Sequence, residues 1–402
     1  MTTLEQQDRI ERIRGWLASI AIPLWAEFGV DRSDFGGFFE RLDQELRPVP
    51  DPRRARLTAR QTYVFARAEA LGWRGPARDL VEHGLDFMRA RHVRGDGTVV
   101  GVVAGNGGAT DAYGFDLYDE AFVLFALGAV ARVTDSPGPV VSLAAEIRDR
   151  LVADRAHPAG GFWTSESGGP LQMNPHMHFF EACLEWIESG LDVDGRWTGL
   201  AESLVDLILA PIAVGDGVAV VEYYDPRWAP VLGGKYGWIE PGHQFEWAAL
   251  ALRWARIADD SRAERAARQL VQQAELFGLD RDGRVAIEVV SPRFQRVRES
   301  ARLWAQAERA KAWHAVATSE AFGGELRAQA EERMGAALDG LETFLERTPR
   351  GLWHDLRLED GQFSTQPTRA SSLYHLVCAI DALCETPGHK SPSFDSLLEE
   401  RN

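Results

Sequence analysis

One pattern recurs six times along this 402-residue chain: a helical stretch, a glycine-punctuated link with strand-like pieces, and a second helical stretch. Apolar residues fall three and four apart through most of the sequence, the spacing of amphipathic helices. Roughly a dozen helices are expected, near 5–28, 56–71, 76–92, 115–133, 139–154, 174–189, 196–212, 242–257, 261–277, 298–316, 323–346 and 370–384, with ends set only to within a few residues. Short polar links such as Gly72–Gly75 and Asp135–Gly138 alternate with longer ones: GGFFERLDQEL, DGTVVGVVAGNGG, GGFWTSESGGP, GVAVVEYYDPRW, RDGRVAIEVVS and GLWHDLRLEDGQF. A helical hairpin cannot bury its apolar stripe alone, so such units must stack side by side. Six units suggest closure. The expected fold is all-α, an (α/α)6 barrel of about twelve helices with short β-hairpin links on one face, formed by residues 1–387 as a single domain and followed by a polar tail at 388–402. An open solenoid is the rival, since periodicity does not reveal closure.

Charge and composition remove several function classes. The 44 Lys+Arg against 60 Asp+Glu leave a net charge of −16, which argues against nucleic acid as a partner. Only Lys235, Lys311 and Lys390 are lysines, so Schiff-base chemistry has few candidates. Three cysteines cannot build a disulfide framework or a four-thiolate zinc site. The N-terminus is charged from its fourth residue and carries no signal-peptide core, and no apolar run reaches the roughly 20 residues that span a bilayer. A cytoplasmic protein is expected, a monomer or homodimer without a membrane partner.

The residues that look out of place lie near the starts of alternate helices: Arg60, Asp116, His178, His243, Trp304 and His375, at intervals of 56 to 71 residues. In a ring these six converge on one mouth, and convergent polar groups in an aromatic-lined cup mark a ligand site. Asn174 and Pro175 read as the N-cap and first turn of a helix that carries His178 one turn on, although a well-capped helix needs no ligand to explain it. His243 and Glu246 share a helix face just after Pro241, and the helix dipole there favours a neutral imidazole able to act as a base. A His and a Glu at this spacing can also ligate a metal, but no HExxH and no second Glu-x-x-His pair accompany them, so no metal is assigned. Trp304 and Glu308, four apart, suit a sugar's C–H face and hydroxyls, or simply a core tryptophan beside a surface acid. The further tryptophans at 163, 228, 238 and 353 favour the carbohydrate. Arg60 is placed to hold a hydroxyl or carbonyl oxygen, and no phosphate-loop motif is present.

RQTYVFA, DLYDEAF, NPHMHFFEACLEW, EPGHQFEWA, RLWAQAE and SSLYH, taken together, resemble the successive motifs of the N-acylglucosamine 2-epimerase superfamily from about Ile13 to Leu383. The resemblance is greatest to its mannose isomerase and mannose 2-epimerase branch. It implies an (α/α)6 barrel, His243 and His375 as catalytic acid/base residues, and Arg60, Asn174, His178, Glu246, Trp304 and Glu308 around the substrate. Tyr113 and, more loosely, Lys235 join that shell. Cellobiose epimerases carry a tryptophan where this chain has Ala370, which points away from a disaccharide.

The function these features imply is an aldose–ketose isomerase interconverting D-mannose and D-fructose, with D-lyxose and D-xylulose as further candidates, through a cis-enediolate and without a cofactor. The alternative is a D-mannose/D-glucose or N-acyl-hexosamine 2-epimerase. Two other classes compete: a glycoside hydrolase using Glu246 and Glu308 as paired acids, and a non-catalytic sugar-binding protein.

Overall fold

The computed structural model describes residues 4–104, 114–166, 169–209, 213–214 and 217–384. Its helices are α1 (Leu4–Trp16), α2 (Ile22–Phe28), α3 (Ala55–Ala68), α4 (Ala77–Phe87), α5 (Leu117–Val133), α6 (Gly138–Arg155), α7 (Met173–Glu188), α8 (Arg196–Leu209), α9 (Pro241–Ala258), α10 (Ser261–Phe277), α11 (Leu303–Thr318), α12 (Gly324–Leu345) and α13 (Ser371–Cys384). A single π-turn, Leu17–Ala21, joins α1 to α2. It falls where Pro23 cannot donate to the carbonyl four residues earlier, so the helix widens instead of breaking.

Two kinds of helix follow from two kinds of sequence. In α5, LYDEAFVLFALGAVARV, almost every side chain is buried, as expected of a helix that is apolar on all sides. In α6 only Val140, Ala144, Ile147, Arg148 and Leu151 are buried, a single stripe. The fully buried kind forms an inner ring in which α3 packs on α5, α5 on α7, α7 on α9, α9 on α11, α11 on α13 and α13 back on α3. The striped kind packs outside: α4 on α3, α6 on α5, α8 on α7, α10 on α9, α12 on α11 and α1 on α13. The contact between α13 and α3 closes the ring and excludes the open solenoid. The fold is an (α/α)6 barrel.

Close approach inside the ring needs small residues. A Cβ on Gly128 of α5 would stand 3.0 Å from the Glu185 side chain and 3.3 Å from the Trp186 indole of α7. That indole donates to the Leu124 carbonyl at 2.9 Å, and its other face stacks at 5.3 Å on Trp197 of α8.

The links are hairpin-like and are also laced to one another. Among the described residues, strands pair within one link at Val289–Val290 with Arg296–Arg298 and at Ala213–Val214 with Gly217–Val218, and isolated bridges such as Val93 with Val99, Ala156 with Phe162 and Arg357 with Phe363 fold the other links back on themselves. Elsewhere two-residue strands lace one link to another: Arg53–Arg54 with Val102–Val103, Leu171–Gln172 with Tyr223–Tyr224, Ala301–Arg302 with Leu356–Arg357, and Arg41–Leu42 with Thr368–Arg369. The last pair joins the two ends of the ring. These strands also explain why the helix expected from 298 starts at Leu303: residues 296–298 and 301–302 are already committed to pairing.

Buried polar side chains pin the links to the helix starts. Gln244 accepts from the Val220 N–H and donates to its carbonyl, each at 2.8 Å. Gln306 does the same for Ala286 at 2.8 and 2.9 Å. His176, at the corresponding position of α7, accepts from Phe162 N–H at 2.9 Å. All the links therefore sit over the same end of the ring, where the inner helices begin. No helix among the described residues is long and apolar enough to cross a membrane.

Candidate active site

The register of the inner helices decides what lines the mouth. The sixth residue of α3, α5, α7, α9 and α11 is Arg60, Phe122, His178, Glu246 and Glu308, and the fifth of α13 is His375. One turn nearer the mouth the second residues are Arg56, Tyr118, Asn174, Gly242 and Trp304. These positions meet around one axis. The Arg60 guanidinium lies 4.0 Å from the Phe122 ring, and Phe122 lies 4.4 Å from His178. His178 Nδ1 is 3.9 Å from Glu246 Oε1, and donor atoms of Glu246, Glu308 and His375 lie within 4.8 Å of one another. Trp304 completes the circle between two histidines, 5.0 Å from His243 and 5.5 Å from His375. Gly242 makes this possible, because a Cβ there would stand 2.5 Å from the Trp304 ring.

Both histidines are nearly buried, with 6% of His243 and 7% of His375 exposed, and each has Nδ1 held by a carboxylate. Their environments differ in charge. His243 Nδ1 is 2.9 Å from Glu222 and 3.7 Å from Glu240. Burial opposes the imidazolium, but the Glu222 and Glu240 carboxylates overcome it and raise His243 to about 10. His375 Nδ1 is 2.8 Å from Glu308 Oε1, while Lys311 pairs with the other Glu308 oxygen. Burial lowers His375; Glu308 works against that, and Arg60 and Lys311 reinforce it. At neutral pH the site thus holds one cationic and one neutral imidazole over the same tryptophan.

A model of the N-acylglucosamine 2-epimerase (GlcNAc 2-epimerase) family matches residues 37–379. The chain belongs to the N-acylglucosamine 2-epimerase family. It is 36% identical over 374 residues, 92% of this chain and 95% of the relative, to a mannose-6-phosphate isomerase from Rhizobium meliloti (strain 1021). Among solved structures, a D-mannose isomerase superimposes with a TM-score of 0.80 at 19% identity, covering 95% of this chain and 99% of that one. The cellobiose 2-epimerase of Bacillus thermoamylovorans B4167 gives 0.78 at 17% identity over 93% and 99%. These two likenesses support the barrel. With the family established, the protein is a sugar isomerase or epimerase.

Of the residues that sequence singled out for this family's site, Arg60, Asn174, His178, His243, Glu246, Trp304, Glu308 and His375 all stand on the inner helices at the mouth end. Arg60 donates to the Tyr118 hydroxyl at 2.8 Å and keeps Nε buried without a partner. Buried Asn174 Oδ1 and both oxygens of buried Glu246 are likewise unpartnered, so three elements aim unused polar atoms inward. Burial, and then the Glu308 and Glu181 carboxylates, push the Glu246 carboxyl well up. Tyr113 and the side chain of Lys235 lie outside the described residues.

Several expectations are corrected. Asp116 does not enter the cup: it caps α5 through Tyr118 N–H at 2.9 Å and pairs with Arg56 at 2.7 Å, leaving Tyr118 as the inward residue. Asn174 does not cap its helix, which begins one residue earlier after Gln172, and so its side chain is released toward the cup. His243 is not kept neutral by the helix dipole, because two nearby carboxylates outweigh a partial charge. Trp353 stacks on Trp25 at 5.4 Å in the core, and Trp163 and Trp228 pack on His157. Trp238 lies edge-on to Tyr223 at 5.6 Å and keeps its indole Nε1 buried without a partner, so Trp304 and Trp238 are left to carry the carbohydrate argument.

Sequence reasoning missed Tyr118, Glu181, Glu222, Glu240, Lys311 and Tyr374. Glu181 accepts from Tyr374 Oη and from His178 Nδ1, the latter at 3.0 Å. Helix register alone would have reached Tyr118 and Glu181, which stand four residues before Phe122 and three after His178. Glu222 comes from a link, and no periodicity places it. Donor atoms of Glu222, Glu240 and His243, and of His178, Glu181 and Glu246, also lie within 4.8 Å of one another. In both groups the histidine Nδ1 is already bonded to a carboxylate.

Proposed function

We propose that this protein is an aldose–ketose isomerase that interconverts D-mannose and D-fructose, with D-lyxose and D-xylulose as further substrates. The observation that carries the reading is that two imidazoles, His243 and His375, stand on either side of Trp304, each with Nδ1 held by a carboxylate, in surroundings that favour the cation at His243 and the neutral ring at His375. His243, as a cation, protonates the ring oxygen and recovers a proton from the anomeric hydroxyl, so the sugar opens and the imidazolium is restored. The resulting carbonyl acidifies the C2 hydrogen, and His375 Nε2, whose lone pair is free while Nδ1–H donates to Glu308, removes it. Arg60 and the cationic His243 hold the negative charge of the cis-enediolate. Returning the proton from His375 to C1, while His243 gives a proton to O1 and takes the one on O2, gives the ketose. Trp304 offers a stacking face for the C–H side of the sugar, and Asn174 and Glu246 have unused polar atoms for its hydroxyls. No step requires a metal or nicotinamide.

A second reading is 2-epimerisation, favoured by the same cationic His243, which could deliver a proton to the opposite face of C2. Paired-carboxylate hydrolysis fits poorly. Glu308 is taken up by His375 and Lys311, one on each oxygen, which leaves it poorly placed to act as a free acid or nucleophile opposite Glu246. The mannose-6-phosphate isomerase relative raises the question of a phosphorylated substrate. Around the mouth Arg54, Arg56 and Arg302 are each ion-paired to Glu40, Asp116 or Asp119, and Glu288, which supports the free sugar. Incubation with mannose and with mannose 6-phosphate in D2O tests all three readings. Fructose labelled at C1 from free mannose is expected; glucose labelled at C2 without ketose would establish the epimerase instead, and turnover confined to the phosphate ester would replace the free sugar.

A further inference from the structure

Beneath the cup the inner ring buries a charge the mechanism above does not use. Lys311, one of three lysines in a chain with 44 cationic residues, lies on α11 one turn past Glu308 and is 8% exposed. Its ammonium contacts one oxygen of Glu308, and the other oxygen of the same carboxylate binds His375 Nδ1 at 2.8 Å. Glu308 is completely buried, so its two oxygens are divided between these two partners. Elsewhere in the barrel a buried carboxylate takes an arginine: Arg309, on the same helix, grips both oxygens of Glu275. An arginine fork at position 311 would claim both oxygens of Glu308, whereas an ammonium is a point charge that leaves one for the imidazole.

We propose that Lys311 is a positioning residue that acts through Glu308 to hold His375 in its sugar-facing, unprotonated form. The inference rests on the reading of His375 as the base. The charged and titratable groups facing His375 are Glu308 and Lys311 on α11, Arg60 on α3, His178 and Glu181 on α7, Glu246 on α9, and Tyr374 and Cys378 on its own helix. Removing the ammonium leaves Glu308 without its ion-pair partner, while Arg60, the His243 imidazolium and Arg253 remain as cations toward the wider cluster of Glu181 and Glu246. The group bonded directly to that uncompensated carboxylate is the His375 imidazole, at 2.8 Å, and its protonated form is what the freed anion favours.

The test is the titration of the His375 ring by NMR in the full chain, assigned with His375→Asn, alongside the pH profile of kcat/KM. Lys311→Met is expected to move the His375 midpoint and the acid limb upward by on the order of one pH unit. Glu308→Gln, which removes the anion, is expected to move the midpoint downward. Opposite signs are what a general loss of packing does not produce. Should Lys311→Met fail to fold, Lys311→Gln, equally uncharged but hydrogen-bonding, carries the same comparison. A midpoint in the neutral variant that stays within 0.2 pH unit of the wild type (roughly the resolution of such a titration), or that moves downward, overturns the proposal. The NMR midpoint does not depend on turnover. Failure of the wild-type protein to convert mannose breaks the functional reading and leaves the Lys311–Glu308–His375 measurement standing.

Discussion

His243 and His375 occupy the same cup and both bond a carboxylate through Nδ1, yet their surroundings favour the cation at His243 and the neutral ring at His375. Around His243 two carboxylates, Glu222 and Glu240, face one imidazole and no lysine or arginine is among the chief influences on it. Around His375 the carboxylate bonded to it is shared with Lys311, and Arg60 adds a second cation. A His–Glu pair therefore does not define a protonation state. What decides it is how many cations share the carboxylate, because at this depth solvent does little to screen them.

The harshest way to break that comparison is to remove one imidazole. His375→Asn should lower kcat by about 10²–10⁴-fold and abolish exchange of the C2 hydrogen with D2O, read by NMR of recovered mannose. Exchange at the wild-type rate would assign the base elsewhere. Glu222→Gln should come next: with the nearer carboxylate neutralised, His243 loses its cationic form at lower pH, and the alkaline limb of kcat should retreat from near 10 toward neutrality.

The unmodified enzyme sharpens the contrast without a mutation. The proposed mechanism needs a neutral His375, so activity should be lost as pH falls through that group's value, which lies below the ordinary histidine value of about 6.5. The mechanism also needs a cationic His243, so activity should be lost as pH rises through about 10. A plateau across neutrality bounded by those limbs is expected; a single limb near 7 would mean that the two imidazoles are not differentiated. The smallest effect on chemistry belongs to Gln306→Leu. It strips Ala286 of both backbone bonds and should cost about 1–3 kcal/mol in denaturant unfolding while leaving both limbs in place.

Where sequence reading succeeded and where it failed follows the range of the forces involved. The inner helices were legible because burial on all sides and burial along one stripe leave different residue patterns in α5 and α6. His178, Trp304 and His375 were legible because a helix start repeats at a nearly constant interval. Asp116 was misplaced by two residues, since choosing between it and Tyr118 depends on which of them the helix cap consumes. Arg60 and Glu308 were located, but their hydrogen-bond partners, Tyr118 and His375, lie 58 and 67 residues away.

The order of residues along this chain determined the six helical-hairpin units, the end at which the inner helices start, and part of the set of side chains gathered there, because periodic burial and helix starts are local properties of the polypeptide. Closure through α13 against α3, the division of Glu308 between Lys311 and His375, and the charge on each imidazole were decided only when distant segments came within a few ångströms. Electrostatic pairing in a dry interior depends on separation in space, and separation along the chain does not report it.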